Sequence, residues 1–373
     1  MSEQHPAGTH ETNLDFVRSL AVLMVVAAHL GWFLGDLHFS FLEISLLGRL
    51  GVVIFFVHSG IVNLLSIEGH VRKHGEYRLF RSFMTRRCLR IYPLSIFVVA
   101  IVYLSHIPVA HITQGSSTPG NHPGAEVVPS LFLVQNFVQF DQLLEPLWSL
   151  PYEIQMYCLF PFVFVVLRRF KSAKILVFAW ALLAVVEHVI APHIAKHGNP
   201  GHIFAIPDML YFFLWFLAGL YAYKEMKTSK RTLPFWVLPA LLGFLCLMCS
   251  LSYDRNKFMF MSLCLGLAIP YIQGCQIGAL NHACGWVAKY SYGIYLLHDP
   301  AIWLGFVKFG HIPIAARIII FLLTTFGGSV LLYHALEHPM ILVGNKAAAA
   351  ISRKHVPVKL HPFAMAVAAG AGK

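Results

Sequence analysis

Charge is scarce in this chain of 373 residues. Asp, Glu, Lys and Arg make up 12% of it, against roughly a quarter in ordinary soluble domains. With 57% hydrophobic residues, that shortage excludes a string of soluble domains and points to a polytopic membrane protein. Acid is scarcer than base, 17 residues against 28, for a net charge of +11. A nucleic-acid partner is excluded all the same, because the basic residues sit in short segments between apolar runs, as the positive-inside rule distributes them. The seven cysteines fall inside or beside apolar runs and read as small packing residues. Cys246 and Cys249 form a CxxC with no second pair, so packing is favoured over metal or redox chemistry. None of the 21 histidines has HExxH spacing, which speaks against a catalytic metal. No internal repeat is evident, which weakens an inverted-repeat transporter. No Lys or Arg precedes Leu14, so a cleavable signal peptide is not expected and the first apolar run should stay in the protein.

What is present is a succession of about ten apolar runs, each near the length that crosses a bilayer. They are expected at about 14–34, 44–67, 91–107, 147–167, 175–194, 207–223, 233–251, 258–277, 290–304 and 318–336. The expected fold is therefore all-α, with the spans in a single bundle. Residues 1–13 read as a polar tail, 14–340 as the membrane domain, and 341–373 as a disordered tail. The densest positive segment, Arg72 to Arg90, marks the cytoplasmic side. Alternation then puts both termini in the cytoplasm and the protein in the inner (plasma) membrane. The longest outer loop, 108–145, lacks Lys and Arg.

Ionisable residues within spans are costly in lipid and are functional candidates by default. Arg18 and His29 lie eleven positions apart on the first span. That spacing puts them on one helix face, roughly 16 Å apart in depth. An arginine at a span end is also a common anchor, and a lone histidine a common core residue. In RRCLRIYP, Arg87 and Arg90 share a face at i, i+3, with Arg86 beside them. Arginine forks grip phosphates, although basic residues here also suit a topological anchor. In LWSLPYEIQMYCLFP, Glu153 lies inside the fourth span. Helix geometry places it about 9 Å from the outer interface, where it is expected to share a layer with His29 and orient it. FFVHSG offers Ser59 and Gly60 for close approach, or for small-residue helix packing. It also carries His58, whose role is open. Trp148 and His298 are candidates for substrate contact or structure.

Taken together, these segments resemble the acyltransferase-3 family of membrane O-acyltransferases. LDFVRSLAVLMVVAAH, GVVIFFVHSG, FMTRRCLRIYPL, LWSLPYEIQMYCLFP and SYGIYLLHDP followed by ALEHP occur in the family's order. The resemblance implies a ten-helix core that moves an acyl group, commonly acetyl, from cytoplasmic acyl-CoA to a hydroxyl of a surface polysaccharide or lipid-linked saccharide. It maps the family's first motif onto Arg18 and His29, its arginine pair onto Arg87 and Arg90, and its glutamate onto Glu153. His58 departs from the family's usual aliphatic residue, and Pro151 bends or starts the fourth span. A hydrolase-like domain after the core is not expected, nor is relay to a fused transferase.

The expected activity is O-acetyl transfer without a metal. His29 would serve as general base or transient acyl carrier. Arg86, Arg87 and Arg90 would hold the acyl-CoA phosphates, and Arg18 would steer the donor inward. The alternative is a proton-coupled transporter of a sugar or small organic acid, with His29, Glu153 and His298 as the proton relay.

Overall fold

An apolar run in a bilayer satisfies its backbone internally, so these runs become helices. The computed structural model describes residues 8–34, 44–107, 127–138, 143–197, 206–251 and 254–353. Among them the only strand-like pairing is one bridge between Leu233 and Ile272. The long helices are α1 (Gly8–Phe33), α2 (Ile44–His74), α3 (Leu79–Leu104), α4 (Leu150–Leu167), α5 (Lys174–His197), α6 (Ile206–Glu225), α7 (Val237–Leu251), α8 (Arg255–Ala268), α9 (Gly278–Ile302) and α10 (Ile314–Ser352). A helix thus stands at each expected span. Five segments, containing α1, α2, α3, α4 and α10, are long and apolar enough to cross a membrane. Much of the expected outer loop 108–145 lies outside the described residues, as does 354–373.

The helices differ from the expected spans at their ends. α1 starts six residues before Leu14, and α10 runs through the first part of the expected tail, to Ser352. That last stretch packs on α3, with Gly344 lying against Leu89 and Arg86. Of the two roles open to Pro151, the structure assigns the start. The residue sits in the first turn of α4, after a 3-10 turn over Glu145–Ser149. Proline at that position loses no helical hydrogen bond. Inside α9, Pro300 removes a backbone donor, and the helix ends in a π turn over Trp303–Lys308. α10 carries two more π turns, Leu323–Gly327 and Tyr333–Glu337.

α2 is the axis of the bundle. Leu50, Val53, Ile54, Phe56, Val57, Ile61 and Leu64 are fully buried along it, and it touches α1, α4, α6, α7 and α8. Two glycines make the α2–α6 crossing possible. A Cβ at Gly219 would stand 2.1 Å from the Val57 carbonyl oxygen, and one at Gly60 would stand 2.6 Å from that of Phe216. The backbones therefore meet directly, as small residues allow in membrane bundles. On the other side of α2, Gly48 faces Ala28, and Gly51 faces Ala21 and Val25. α1 and α2 are thus antiparallel, in a register that sets Ser59 near the depth of Val17 and Arg18.

Candidate active site

Two polar layers occupy the interior, one at each end of the Arg18–His29 face of α1. Both side chains turn toward α9, as their shared face requires. Arg18 Nε donates to Ser291 Oγ at 2.6 Å. Ser291 can accept because its own hydroxyl donates to the Ala288 carbonyl. His29 Nδ1 lies 2.9 Å from the Val25 carbonyl oxygen and 3.2 Å from His298 Nε2.

The histidine layer is built by α1, α9 and the turn before α4. His298 is fully buried, and its Nδ1 lies 2.7 Å from the Tyr295 carbonyl oxygen. The Tyr295 hydroxyl donates to the Pro146 carbonyl at 2.9 Å and meets Ser149 Oγ at 2.8 Å. Asp299 is buried beside them, 3.5 Å from His298 Nε2. His29, Trp148 and Tyr295 line a cavity of about 670 Å³. One wall is aromatic: Tyr152 and Phe212 have ring centroids 4.5 Å apart, and Trp148 and Phe212 5.4 Å. At the mouth Arg255 ties three helices together. It donates to Glu187 at 2.8 Å and to Asp208 at 3.1 Å, and lies 4.0 Å from the Tyr211 ring centroid.

The arginine layer lies deeper along α1. Arg87 is only 9% exposed and is set between the Phe83 and Tyr157 rings, at 5.4 Å from each centroid. It points into the protein, unlike a surface anchor. Arg86 Nη1 donates to Ser66 Oγ at 3.3 Å, while its Nε and Nη2 are buried with no hydrogen-bond partner among the described residues. Arg90 is half-buried and acts electrostatically on Arg18, Arg87 and Glu337. Glu337, from ALEHP, is itself buried, and its Oε2 has no hydrogen-bond partner among the described residues. The buried imidazole of His58 lies within the field of Arg18, Arg90 and Arg87. Arg18, Arg87 and Arg90 thus lie in the field of two carboxylates, Glu153 and Glu337, with Arg86 beside them. The surplus is positive, which suits an anion.

Glu153 does not share a layer with His29. Its Oε1 accepts from Ser59 Oγ at 3.3 Å and from the Tyr157 hydroxyl, which puts it at the depth of Arg18. The expected depth counted α-helical rise from Leu147; the steeper 3-10 turn over residues 145–149 adds only about 1 Å to that count. Helix register, unseen in the sequence, supplies the rest of the offset. The carboxylates near His29 are instead Glu145, at the start of that turn and on the wall of the same cavity, and Asp299, within 4.8 Å of it. Glu145 and Asp299 were not among the candidates. Their signal was available, since each is an acid adjoining a motif already singled out, in EPLW and HDP.

Between the two layers lies a narrow cleft of about 30 Å³ that is lined by Arg18 and Ser291 and shares Val25, Val52 and Tyr295 with the larger cavity. Chemically, the arrangement offers an anion-holding layer, a constriction, and an imidazole facing an aromatic cavity. His29, His298 and Asp299 also present ligand atoms within 4.8 Å of one another, a set able to hold a metal ion.

A 27% identical relative is the peptidoglycan O-acetyltransferase OatA of Listeria monocytogenes, matched over 78% of this chain and 49% of that protein. Another is the O-acetyltransferase OatA of Staphylococcus aureus, 26% identical over 91% of this chain and 59% of the relative. A third is nodulation protein 10 of Rhizobium leguminosarum, 28% identical over 63% of this chain and 66% of that protein. The chain spans about half the length of the OatA relatives it matches. No solved structure matches it. The family profile for the acyltransferase domain matches residues 11–334, nearly the whole bundle, and the chain therefore belongs to the acyltransferase-3 family of membrane O-acyltransferases.

Proposed function

We propose that the protein takes an acetyl group from acyl-CoA at the arginine layer, on the cytoplasmic side of the inner membrane. It delivers that group to a hydroxyl of a surface polysaccharide or lipid-linked saccharide in the histidine-layer cavity. The observation that carries this reading is the pair of cavities in series along one face of α1, with Arg18 lining one and His29 the other. Arg86, Arg87 and Arg90 hold the donor's phosphates, and guanidinium forks suit them. Arg18 receives the donor at the constriction, and the acyl thioester reaches the cavity. His29 takes the proton of the acceptor hydroxyl as its oxygen attacks the thioester carbonyl. The C–S bond breaks, and His29 returns the proton to the CoA sulfur. Trp148 and the neighbouring rings offer flat apolar faces for a sugar ring, and Asp208 and Arg255 offer polar groups for its hydroxyls.

Purified protein in lipid nanodiscs, given acetyl-CoA and a polysaccharide acceptor, is expected to release free CoA and form O-acetyl ester in equal amounts. His29→Ala is expected to lower that rate by about 10²–10⁴-fold, the usual contribution of a positioned base. Substrate flux in liposomes without CoA release would favour a proton-coupled transporter instead.

A further inference from the structure

His29 is useful as a base only if the ring nitrogen facing the acceptor carries a lone pair. Which nitrogen that is depends on what the other one bonds. A carbonyl oxygen only accepts, so a ring nitrogen bonded to one carries the proton. His298 Nδ1 lies 2.7 Å from the Tyr295 carbonyl oxygen, which makes it the protonated nitrogen. In the neutral ring, Nε2 is then the lone-pair atom; Asp299 Oδ1 stands 3.5 Å from it without forming a hydrogen bond. His29 Nδ1 lies 2.9 Å from the Val25 carbonyl oxygen and 3.2 Å from that same His298 Nε2. Both neighbours are acceptors, so His29 Nδ1 also carries its proton. Nε2 of His29 remains as the lone-pair nitrogen of a ring that lines the cavity.

We propose that His298 is a positioning residue. Together with the Val25 carbonyl, it locks His29 in the Nδ1–H form and leaves Nε2 to take the acceptor proton. This rests on the reading of His29 as the base. When His29 becomes an imidazolium, its Nδ1–H already points at two acceptors, so no group has to reorient as charge develops. His298 is held in turn by α9: its backbone partner is one helical turn back, and the Tyr295 side chain is anchored to Pro146 on the turn before α4. The catalytic imidazole is thus oriented by a helix and a turn far from it in sequence. A third group that fixes the tautomer of a catalytic histidine is a recurrent device, and removing one can cost about 10⁴ in rate elsewhere.

The test joins a spectroscopic readout to rescue kinetics. Nitrogen-15 NMR of histidine-labelled protein in nanodiscs, with the His29 signals assigned by comparison with His29→Ala, is expected to show a protonated Nδ1 and an unprotonated Nε2. His298→Leu removes the acceptor and is expected to lower kcat by about 10–10³-fold with the KM for acetyl-CoA unchanged. In that variant the His29 signals should move toward the mixture of tautomers found in water. His298→Gln places an amide oxygen close to the former Nε2 and is expected to recover most of kcat and the wild-type tautomer. A protonated His29 Nε2 in the wild type, or shifts of a metal-bound ring, would overturn the proposal while leaving His29 as a required residue. Unchanged kcat in a well-folded His298→Leu would overturn it too. Loss of the parent reading looks different: His29→Ala would itself remain active.

Discussion

At the scale of the residue, Glu153 and Glu145 stand in different layers. Glu153 is bonded to Ser59 and Tyr157 at the arginine layer, whereas Glu145 lines the cavity with His29. Two-substrate kinetics should separate them. Glu153→Gln is expected to change the KM for acetyl-CoA and leave that of the acceptor near the wild-type value, and Glu145→Gln to do the reverse. Arg87→Lys is expected to weaken acetyl-CoA about ten- to hundredfold. It loses the planar fork and the two flanking rings, and hydrogen bonds to charged groups contribute about 1.5–3 kcal/mol. Isothermal titration with acetyl-CoA reads that loss directly. Spacing made Arg18, His29 and the arginine cluster legible, because a helix face follows from position alone. The partners were not legible. His298 meets His29 across 269 positions and Ser291 meets Arg18 across 273, and only packing decides such pairs. Glu153 shows the limit most clearly, since its depth was counted from an assumed span boundary at Leu147, and the register between helices sets the real one.

At the scale of the element, α2 carries the architecture. Its buried apolar residues are visible in the sequence as one long run, but its neighbours are not. Gly60 and Gly219 lie far apart in the chain, yet each reserves space for the other's backbone. Gly219→Val is expected to force α2 and α6 apart, because even its Cβ has no room. Overpacking of this kind costs typically about 1–3 kcal/mol. Thermal unfolding in detergent should register a lower midpoint for Gly219→Val than for Gly243→Val. A Cβ at Gly243 meets nothing within 4 Å, so that variant is the control. The turn before α4 is the other decisive element. Pro146 and Ser149 hold Tyr295, and Tyr295 holds the cavity wall beside His298. The sequence marked this region as the end of a loop, and gave no sign that it closes against α9.

At the scale of the whole molecule, the account requires that the two layers open to opposite sides of a bilayer. Lys230, after α6, belongs to the arginine end, and Lys308, after α9, to the histidine end; both are exposed. In a chain with its other cysteines replaced, Lys230→Cys is expected to react with an impermeant maleimide only from the cytoplasmic side, and Lys308→Cys only from the other. Transfer itself is the more direct test. Protein is reconstituted in proteoliposomes with one orientation selected, labelled acetyl-CoA is supplied at the arginine end, and a polysaccharide acceptor is enclosed at the histidine end. The account predicts labelled ester on the enclosed glycan, matched by free CoA left on the donor side and absent with His29→Ala. Ester formed only when donor and acceptor share a compartment would contradict it.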